Sequence, residues 1–282
     1  MTLPGIPDTF EWIEASWGAA LRCRPLAGLA PHLFTTRQLE LSARGLGQLA
    51  EALDVRDVVM LKQVHGNRVH VVRCAVRGRG GVRGQRGEGA RGQQEAEWPE
   101  ADAVISDDPI TAIAIRAADC VPLLMADRAR GVVAAVHAGW RGTVAKGAVA
   151  AVDALGREFG TRPQDLVVAI GPSIGPCCYE VGSDLVDAFA AAGHARHLIQ
   201  RWFATPPTPR GQFKPVPGAG PKLRLDVACA NRDLLVLAGV DEAHIHLSGL
   251  CTAEHLDVLT SYRAEKDRAG RLAGVIRTAE SA

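Results

Sequence analysis

A mixed α/β fold is predicted by three features of this 282-residue sequence. Hydrophobic residues make up 47% while aromatics reach only 5%, so the core is built from the small and branched aliphatics that pack between sheets and helices. A charged fraction of 22% and a formal net charge of +1 exclude wholesale disorder and blanket electrostatic binding to nucleic acid or anionic membrane. Apolar runs between turn residues give a series of strands, then a helix, a strand, two helices and a last strand. That order is not the regular alternation of a doubly wound parallel sheet.

The strands are expected at 58–64, 69–72, 103–105, 112–115, 121–126, 132–136, 167–170 and 245–247, each a short apolar run bounded by turn signals. After Gly142, Thr143 is a candidate N-cap for a helix whose Val144, Ala148, Ala151, Val152, Leu155 and Phe159 share one face and which Gly160 stops. Ser183 is placed to cap a second helix through Ala192, ended by Gly193. Asp226 is placed to cap a third, closed by Gly239. No internal repeat is present.

One stretch breaks the composition. Residues 78–92, GRGGVRGQRGEGARG, hold seven glycines and four arginines and almost nothing apolar, so they cannot build a core. Both flanks read as strands, which makes 78–97 a flexible insertion in a single domain, 1–282, rather than a boundary. Without interleaved aromatics these repeats lack the stacking that single-stranded nucleic acid requires. No run approaches about 18 apolar residues and the opening MTLPGIPDTFEWIEASWG has no basic stretch followed by an apolar one, so a cytoplasmic protein without a membrane partner is expected. Seven cysteines, an odd number without a CxxC pair, are then ligands, nucleophiles or packed thiols rather than disulfides.

Three stretches concentrate chemistry. LKQVHGNRV puts His65 at a strand end before a tight turn, RAADCVPLL puts Cys120 at the start of a strand, and VAAVHAGWRG ends a strand in His137 just before Trp140 and Arg141. Two imidazoles and a thiolate suit Zn²⁺, and three protein ligands leave a fourth position open for catalysis. The ligands lie 55 and 17 residues apart, unlike any zinc finger. Spacing alone therefore leaves two readings open, a zinc site or unrelated strand-end side chains.

These stretches, with AIGPSIGPCCYEVG and the tail CTAEH to SYRAEKDRAGRLAGVI, occur in an order that resembles the multi-copper polyphenol oxidoreductase (laccase) family. That family is also known by the names purine nucleoside phosphorylase and peptidoglycan editing factor. The resemblance covers about residues 30–277. It implies a four-layer α/β/β/α domain with mixed sheets and a zinc-centred pocket whose ligands map onto His65, Cys120 and His137. The chain departs from the family pattern at Gln38 to Leu41, at Glu254 where a cysteine is usual, and at Ala264, none of which touches the three ligands.

The resemblance implies phosphorolysis of adenosine, inosine, guanosine and methylthioadenosine, with deamination of adenosine beside it. The partners are then a purine nucleoside and phosphate. Deamination needs a water acidified at neutral pH, which zinc provides. Phosphorolysis needs a clamp for a dianion, and Arg141 and Arg37 are the candidates, each equally readable as half of a structural ion pair. Gln63, two residues from His65 on the same strand face, is expected to line the pocket. Asp119 reads as a turn residue. Cys177 and Cys178 either border the pocket or pack, and His70, His194, His197, His244, His246 and His255 read as surface or structural.

Competing readings are a zinc amidase that removes L-serine from a cell-wall precursor, a metal-free hydrolase with Cys120 as nucleophile and His137 as base, and a binding module using the Gly/Arg insertion. Copper oxidation of phenols is disfavoured because multi-copper sites need many imidazoles. The H-x-E with P-C-x-x-C signature of ordinary zinc deaminases is absent. Replacing 78–92 by a short Gly/Ser link is expected to leave the thermal midpoint and turnover nearly unchanged, because loop-closure entropy varies weakly with length. A large fall in either measurement would mean that the segment packs.

Overall fold

Three apolar interfaces, each fed by one face of a strand or helix, set the layering of the chain. The computed structural model describes residues 2–74, 97–203 and 223–279; the expected insertion at 78–97 lies outside the described residues except for its last position. In chain order come β1 (Phe10–Ala15), β2 (Gly18–Cys23), α1 (Arg24–Ala27), β3 (His32–Thr35), α2 (Ala43–Ala52), β4 (Asp57–Val59) and β5 (Val69–Val72). Then follow β6 (Ala103–Ser106), β7 (Thr111–Ala117), β8 (Val121–Asp127), β9 (Val133–Ala138), α3 (Trp140–Val144), α4 (Gly147–Phe159) and β10 (Leu166–Ile170). The remainder is β11 (Glu180–Val181), α5 (Asp184–Ala191), α6 (Arg196–Trp202), β12 (Leu223–Arg224), α7 (Val227–Leu237), β13 (Ile245–Leu247), α8 (Tyr262–Glu265) and β14 (Leu272–Ile276).

Two six-stranded sheets carry the fold, with spatial orders β1-β2-β3-β14-β7-β4 and β13-β10-β8-β9-β6-β5. Both are mixed: β4 runs parallel to β7, β5 to β6 and β10 to β13, while the other pairs are antiparallel. The mixed α/β class expected from the sequence is the one observed.

Strand alternation builds the layers. On β9, Ala134, Val136 and Ala138 face a core shared with Ala148, Ala151 and Leu155 of α4 and Leu234 of α7. Val133 and Ala135 face the other way, onto Phe34, Ile113, Ile115 and Leu272 of the first sheet. That sheet's outer face, with Leu33, Ala112, Ala114 and Val275, is covered by Leu46, Leu49 and Ala50 of α2. Helix, sheet, sheet and helix thus follow in order. The sheets approach closely where a Cβ on Gly171 would lie 2.4 Å from the Phe34 ring, a distance only glycine tolerates. No helix among the described residues is long and apolar enough to cross a membrane.

Two expected elements are shorter or broken. The strand expected at 58–64 ends at Val59. Beyond it the chain is held by side chains: the Gln63 amide pairs with both backbone groups of Arg116, and Asp102 accepts the N–H groups of Val64, His65 and Gly66. The helix expected from Thr143 begins earlier, as α3, and is broken at Lys146, whose φ of 58° is left-handed, before α4 resumes. Thr143 caps nothing; its hydroxyl donates to the Gly139 carbonyl at 2.9 Å. The break receives the Gly66–Asn67 turn, with Asn67 donating to the Ala145 carbonyl at 3.0 Å. Added Cβ atoms on Gly142 and Gly147 would each lie 3.3 Å from the Gly66 carbonyl oxygen. Gly160 ends α4 at φ 70°, as expected. Asp226 caps α7 by accepting from the Cys229 N–H at 2.8 Å, whereas Ser183 occupies its N-cap position without a side-chain bond.

His32 ties β3 to the chain before it: its Nδ1 donates to the Ala30 carbonyl at 2.8 Å and its Nε2 accepts from the Cys23 N–H at 3.0 Å. Burial holds this imidazole neutral and lowers its pKa to about 4 from 6.5. Between these values the unfolded chain binds a proton that the folded chain excludes, so stability is full above pH 6.5 and falls as pH drops toward 4. Urea unfolding of the wild type between pH 7 and 4.5 is expected to lose up to about 3 kcal/mol more than that of His32→Gln. Equal pH slopes in both proteins would remove His32 as the cause.

Candidate functional site

The site forms where β9 ends beside β6 and β8. In the antiparallel register Ala103 faces Val136 and Pro122 faces His137, so Asp102 comes opposite His137, and Cys120, just before β8, comes against Gly139. His137 shares its strand face with Val133 and Ala135, the side on which the sheets pack, and is buried. His65 arrives from the turn after β4. The ligand atoms of His65, Cys120 and His137 lie within 4.8 Å of one another, and the two imidazole rings meet edge to face at 4.9 Å.

Two carboxylates hold these side chains. Asp102, almost wholly buried, accepts from His137 Nδ1 at 3.0 Å, from the His65 N–H at 2.8 Å and from the Gly66 N–H at 2.6 Å. It thereby keeps His65 in a left-handed conformation, φ 62°, that costs an ordinary residue about 1 kcal/mol or more. Asp119, at φ 85°, accepts from Thr252 Oγ1 and from the Arg263 N–H, each at 2.6 Å, and so fastens the C-terminal segment beside Cys120. Asp119 is thus a turn residue, as expected, whose carboxylate is also a tether.

Electrostatics follow from this packing. Burial pushes the Cys120 thiol up, but hydrogen bonds and charge from His137 and His65 outweigh it and bring the pKa down to about 6. Burial lowers that of His137, but the Asp102 and Cys120 partners raise it to about 9. Burial raises the Asp102 carboxyl, and the bonds from His137, Gly66 and His65 hold it below its usual range. With Nδ1–H donated to Asp102, His137 turns Nε2 toward the cluster.

The donor set of two imidazoles and one readily ionised thiol fits a zinc-like cation, and the cradle is shaped by glycine. A Cβ on Gly139 would lie 2.6 Å from Cys120 Sγ and 3.5 Å from His65 Cδ2, filling the space beside the ligands.

The other residues expected at the site fall into two groups. Arg141 stands in α3 with its guanidinium over the Trp140 ring at 4.3 Å, and no carboxylate among the described residues pairs with it. Arg37 pairs with Glu265 at 3.1 Å and donates to the Leu256 carbonyl. It lines a cleft of about 220 Å³ with Arg268 and Arg271, none of whose lining residues belongs to the three-ligand cluster. Gln63 is held by the Arg116 backbone, at 2.8 and 2.7 Å. The sequence reading missed Asp102. Its signal, an aspartate just before a strand, gains meaning only from the β6–β9 register. Of the histidines read as structural, His194 donates its Nε2–H to the Val144 carbonyl at 3.0 Å and packs on Phe189 and Trp202.

Asp102→Asn keeps the size but cannot accept from every donor now around the carboxylate. Zn²⁺ titration of the metal-free variant is expected to give roughly 10- to 100-fold weaker binding than wild type, with a lower thermal midpoint. Unchanged zinc affinity would reduce Asp102 to a purely structural residue.

A family model described as multi-copper polyphenol oxidoreductase laccase matches residues 40–279. A purine nucleoside phosphorylase of Deinococcus radiodurans is 33% identical, with 98% of this chain and 94% of that protein covered. An adenosine deaminase from an unknown prokaryotic organism is 32% identical over 81% of this chain and 73% of its own. Among solved structures, YlmD of Geobacillus stearothermophilus superposes with a TM-score of 0.76 at 30% identity, covering 97% of this chain and all of the other. With the family model matching most of its length and relatives above 30% identity along nearly all of it, the chain belongs to the multi-copper polyphenol oxidoreductase laccase family.

Proposed function

We propose that this protein is a zinc-dependent purine nucleoside phosphorylase, acting on adenosine, inosine, guanosine and methylthioadenosine, with adenosine deamination as a side activity. The observation that carries the reading is the convergence of His65, Cys120 and His137, with Arg141, a cation unpaired among the described residues, four residues after His137 at the start of α3. Relatives similar over nearly the whole chain bear the phosphorylase name, and one bears the deaminase name.

His65, Cys120 and His137 would hold the metal. Zinc supplies Lewis acidity that brings the pKa of a water toward neutrality, as addition at purine C6 demands. The remaining work belongs to the chain. Asp102 fixes the His137 ring and the His65 backbone, so the one imidazole and the turn that carries the other keep their places during turnover. Arg141, presented flat over Trp140, binds and orients phosphate for attack at ribose C1′ as the bond to the purine nitrogen breaks. Arg37 and Gln63, bound to Glu265 and to the Arg116 backbone, position the segments around the site.

One observation favours a second reading. Cys120, His137 and Asp102 form a chain in the order nucleophile, base and orienting carboxylate, the arrangement of a metal-free thiol hydrolase. Zinc is preferred to several coppers because His65, Cys120 and His137 form the one imidazole-bearing ligand cluster among the described residues.

The test supplies adenosine with and without phosphate. Adenine with ribose 1-phosphate marks phosphorolysis and inosine marks deamination. Both products are expected to disappear with a strong chelator and to return with Zn²⁺; turnover that survives the chelator but not thiol alkylation would turn the assignment to the hydrolase. Arg141→Ala is expected to lower phosphorolysis roughly 10- to 100-fold, through a raised KM for phosphate, the loss of one charge-assisted hydrogen bond. Deamination is expected to change much less and zinc content not at all. Equal loss of both reactions would show that Arg141 supports the pocket as a whole.

A further inference from the structure

A second cluster of ligating side chains stands outside the proposed reaction. The sulfurs of Cys177, Cys178 and Cys251 lie within 4.8 Å of one another, and among the described residues this is the only trio of metal-ligating groups besides the one above. The backbone is folded to bring them together. Cys178 and Tyr179 both donate their N–H groups to the Gly175 carbonyl, at 3.0 and 2.9 Å, which curls the chain so that adjacent cysteines reach one point. Ser173 pairs with Cys251 as an isolated bridge, and the Gly175 N–H donates to Cys251 Sγ at 3.2 Å. A Cβ on Gly175 would lie 3.1 Å from Cys177 Sγ and 3.3 Å from Cys251 Cβ, so the glycine leaves room for the sulfurs.

We propose that Cys177, Cys178 and Cys251 form a second metal site, a three-thiolate site for a thiophilic d10 cation, Zn²⁺ or Cu⁺. Zn–S bonds of about 2.3 Å place sulfurs of a tetrahedral centre about 3.8 Å apart, within the observed clustering. A disulfide would use two of the three sulfurs and leave the third without a partner, whereas one cation engages all three. On binding, three thiols release three protons to solvent and the cation takes three sulfur lone pairs. The complex carries one negative charge with Zn²⁺ and two with Cu⁺, and two arginines brace the backbone of the segment that carries Cys177 and Cys178. Arg224 donates to the Pro176 and Cys177 carbonyls, and Arg263 donates to the Glu180 carbonyl at 2.8 Å while lying over the Tyr179 ring. The backbone N–H on Cys251 Sγ is the kind of bond that stabilises a ligating thiolate. Cys177 is half-buried, which gives an ion a way in, while Cys178 and Cys251 are buried. The site also touches the first centre: Thr252, next to Cys251, donates to the Asp119 carboxylate beside Cys120, so a bound ion would anchor that tether.

The test titrates reduced, metal-free protein with Cd²⁺, whose thiolate charge-transfer absorbance counts bound sulfurs. Wild type is expected to take up two equivalents. Cys120→Ser is expected to keep one equivalent and about three-quarters of the absorbance, since three of four ligating sulfurs remain. Cys177→Ser, at the half-buried position, is expected to fold as wild type by circular dichroism, to keep the equivalent at the first centre and to lose most of the absorbance. Competition against a zinc chelator and a cuprous chelator then identifies which ion is held more tightly. One equivalent in wild type, no thiolate band in Cys120→Ser, or a Cys177→Ser titration like that of wild type would overturn the proposal.

Discussion

The buried Asp102 carboxylate is the interaction on which the site depends. It sits just before β6 and ties the His65–Gly66 turn, which the sheets do not hold, to the end of β9. A carboxylate taken out of water costs several kcal/mol unless its oxygens are satisfied. Here three backbone N–H groups and an imidazole satisfy them. The charge is therefore retained inside the protein, and with it the left-handed backbone at His65 that directs one ligand toward the other two.

Around that carboxylate the layered core acts as a rigid frame. Strands of the second sheet alternate Ala and Val onto both faces, so they pack against α4 and α7 on one side and against the first sheet on the other. Small residues let the surrounding chain approach: Gly139 leaves space beside Cys120, and Gly142 and Gly147 leave space for the Gly66 carbonyl. The break between α3 and α4 is part of the same construction, because the turn carrying His65 docks into it. Asp119 performs on the C-terminal side what Asp102 performs on the other, linking Thr252 and Arg263 to the approach of β8.

The chemistry of the cluster follows from mixed ligands in a buried place. A thiol alone at this depth would be raised by desolvation, and the neighbouring imidazoles reverse that. A thiolate between two imidazoles is a ready ligand set for a borderline cation. Arg141, four residues after His137 at the start of α3, lies over the Trp140 ring, and no carboxylate among the described residues pairs with it.

The sequence by itself determined the fold class and singled out the three side chains that the structure brings together. Short continuous apolar runs bounded by turn residues gave β5 to β10 and β13 close to their observed bounds, because β6 to β10 are buried on both faces and declare themselves through their own residues. His65, Cys120 and His137 were legible as strand-end ligand types, and the ordered family motifs joined them. Other features were decided by contacts between distant segments. The strand after Val59 stops because Gln63 and Asp102 replace sheet hydrogen bonds with side-chain ones, and the helix beyond Gly142 splits because a turn some 75 residues earlier occupies its groove. The amphipathic hairpin β1–β2 and helix α2 escaped because their polar faces dilute the apolar signal until the first sheet covers them. Asp102 was silent for the same reason: an aspartate becomes an orienting residue only when antiparallel register brings a histidine opposite it, and β6 and β9 find one another across two intervening strands. Cys251 joins Cys177 and Cys178 through a bridge at Ser173 that no local pattern encodes.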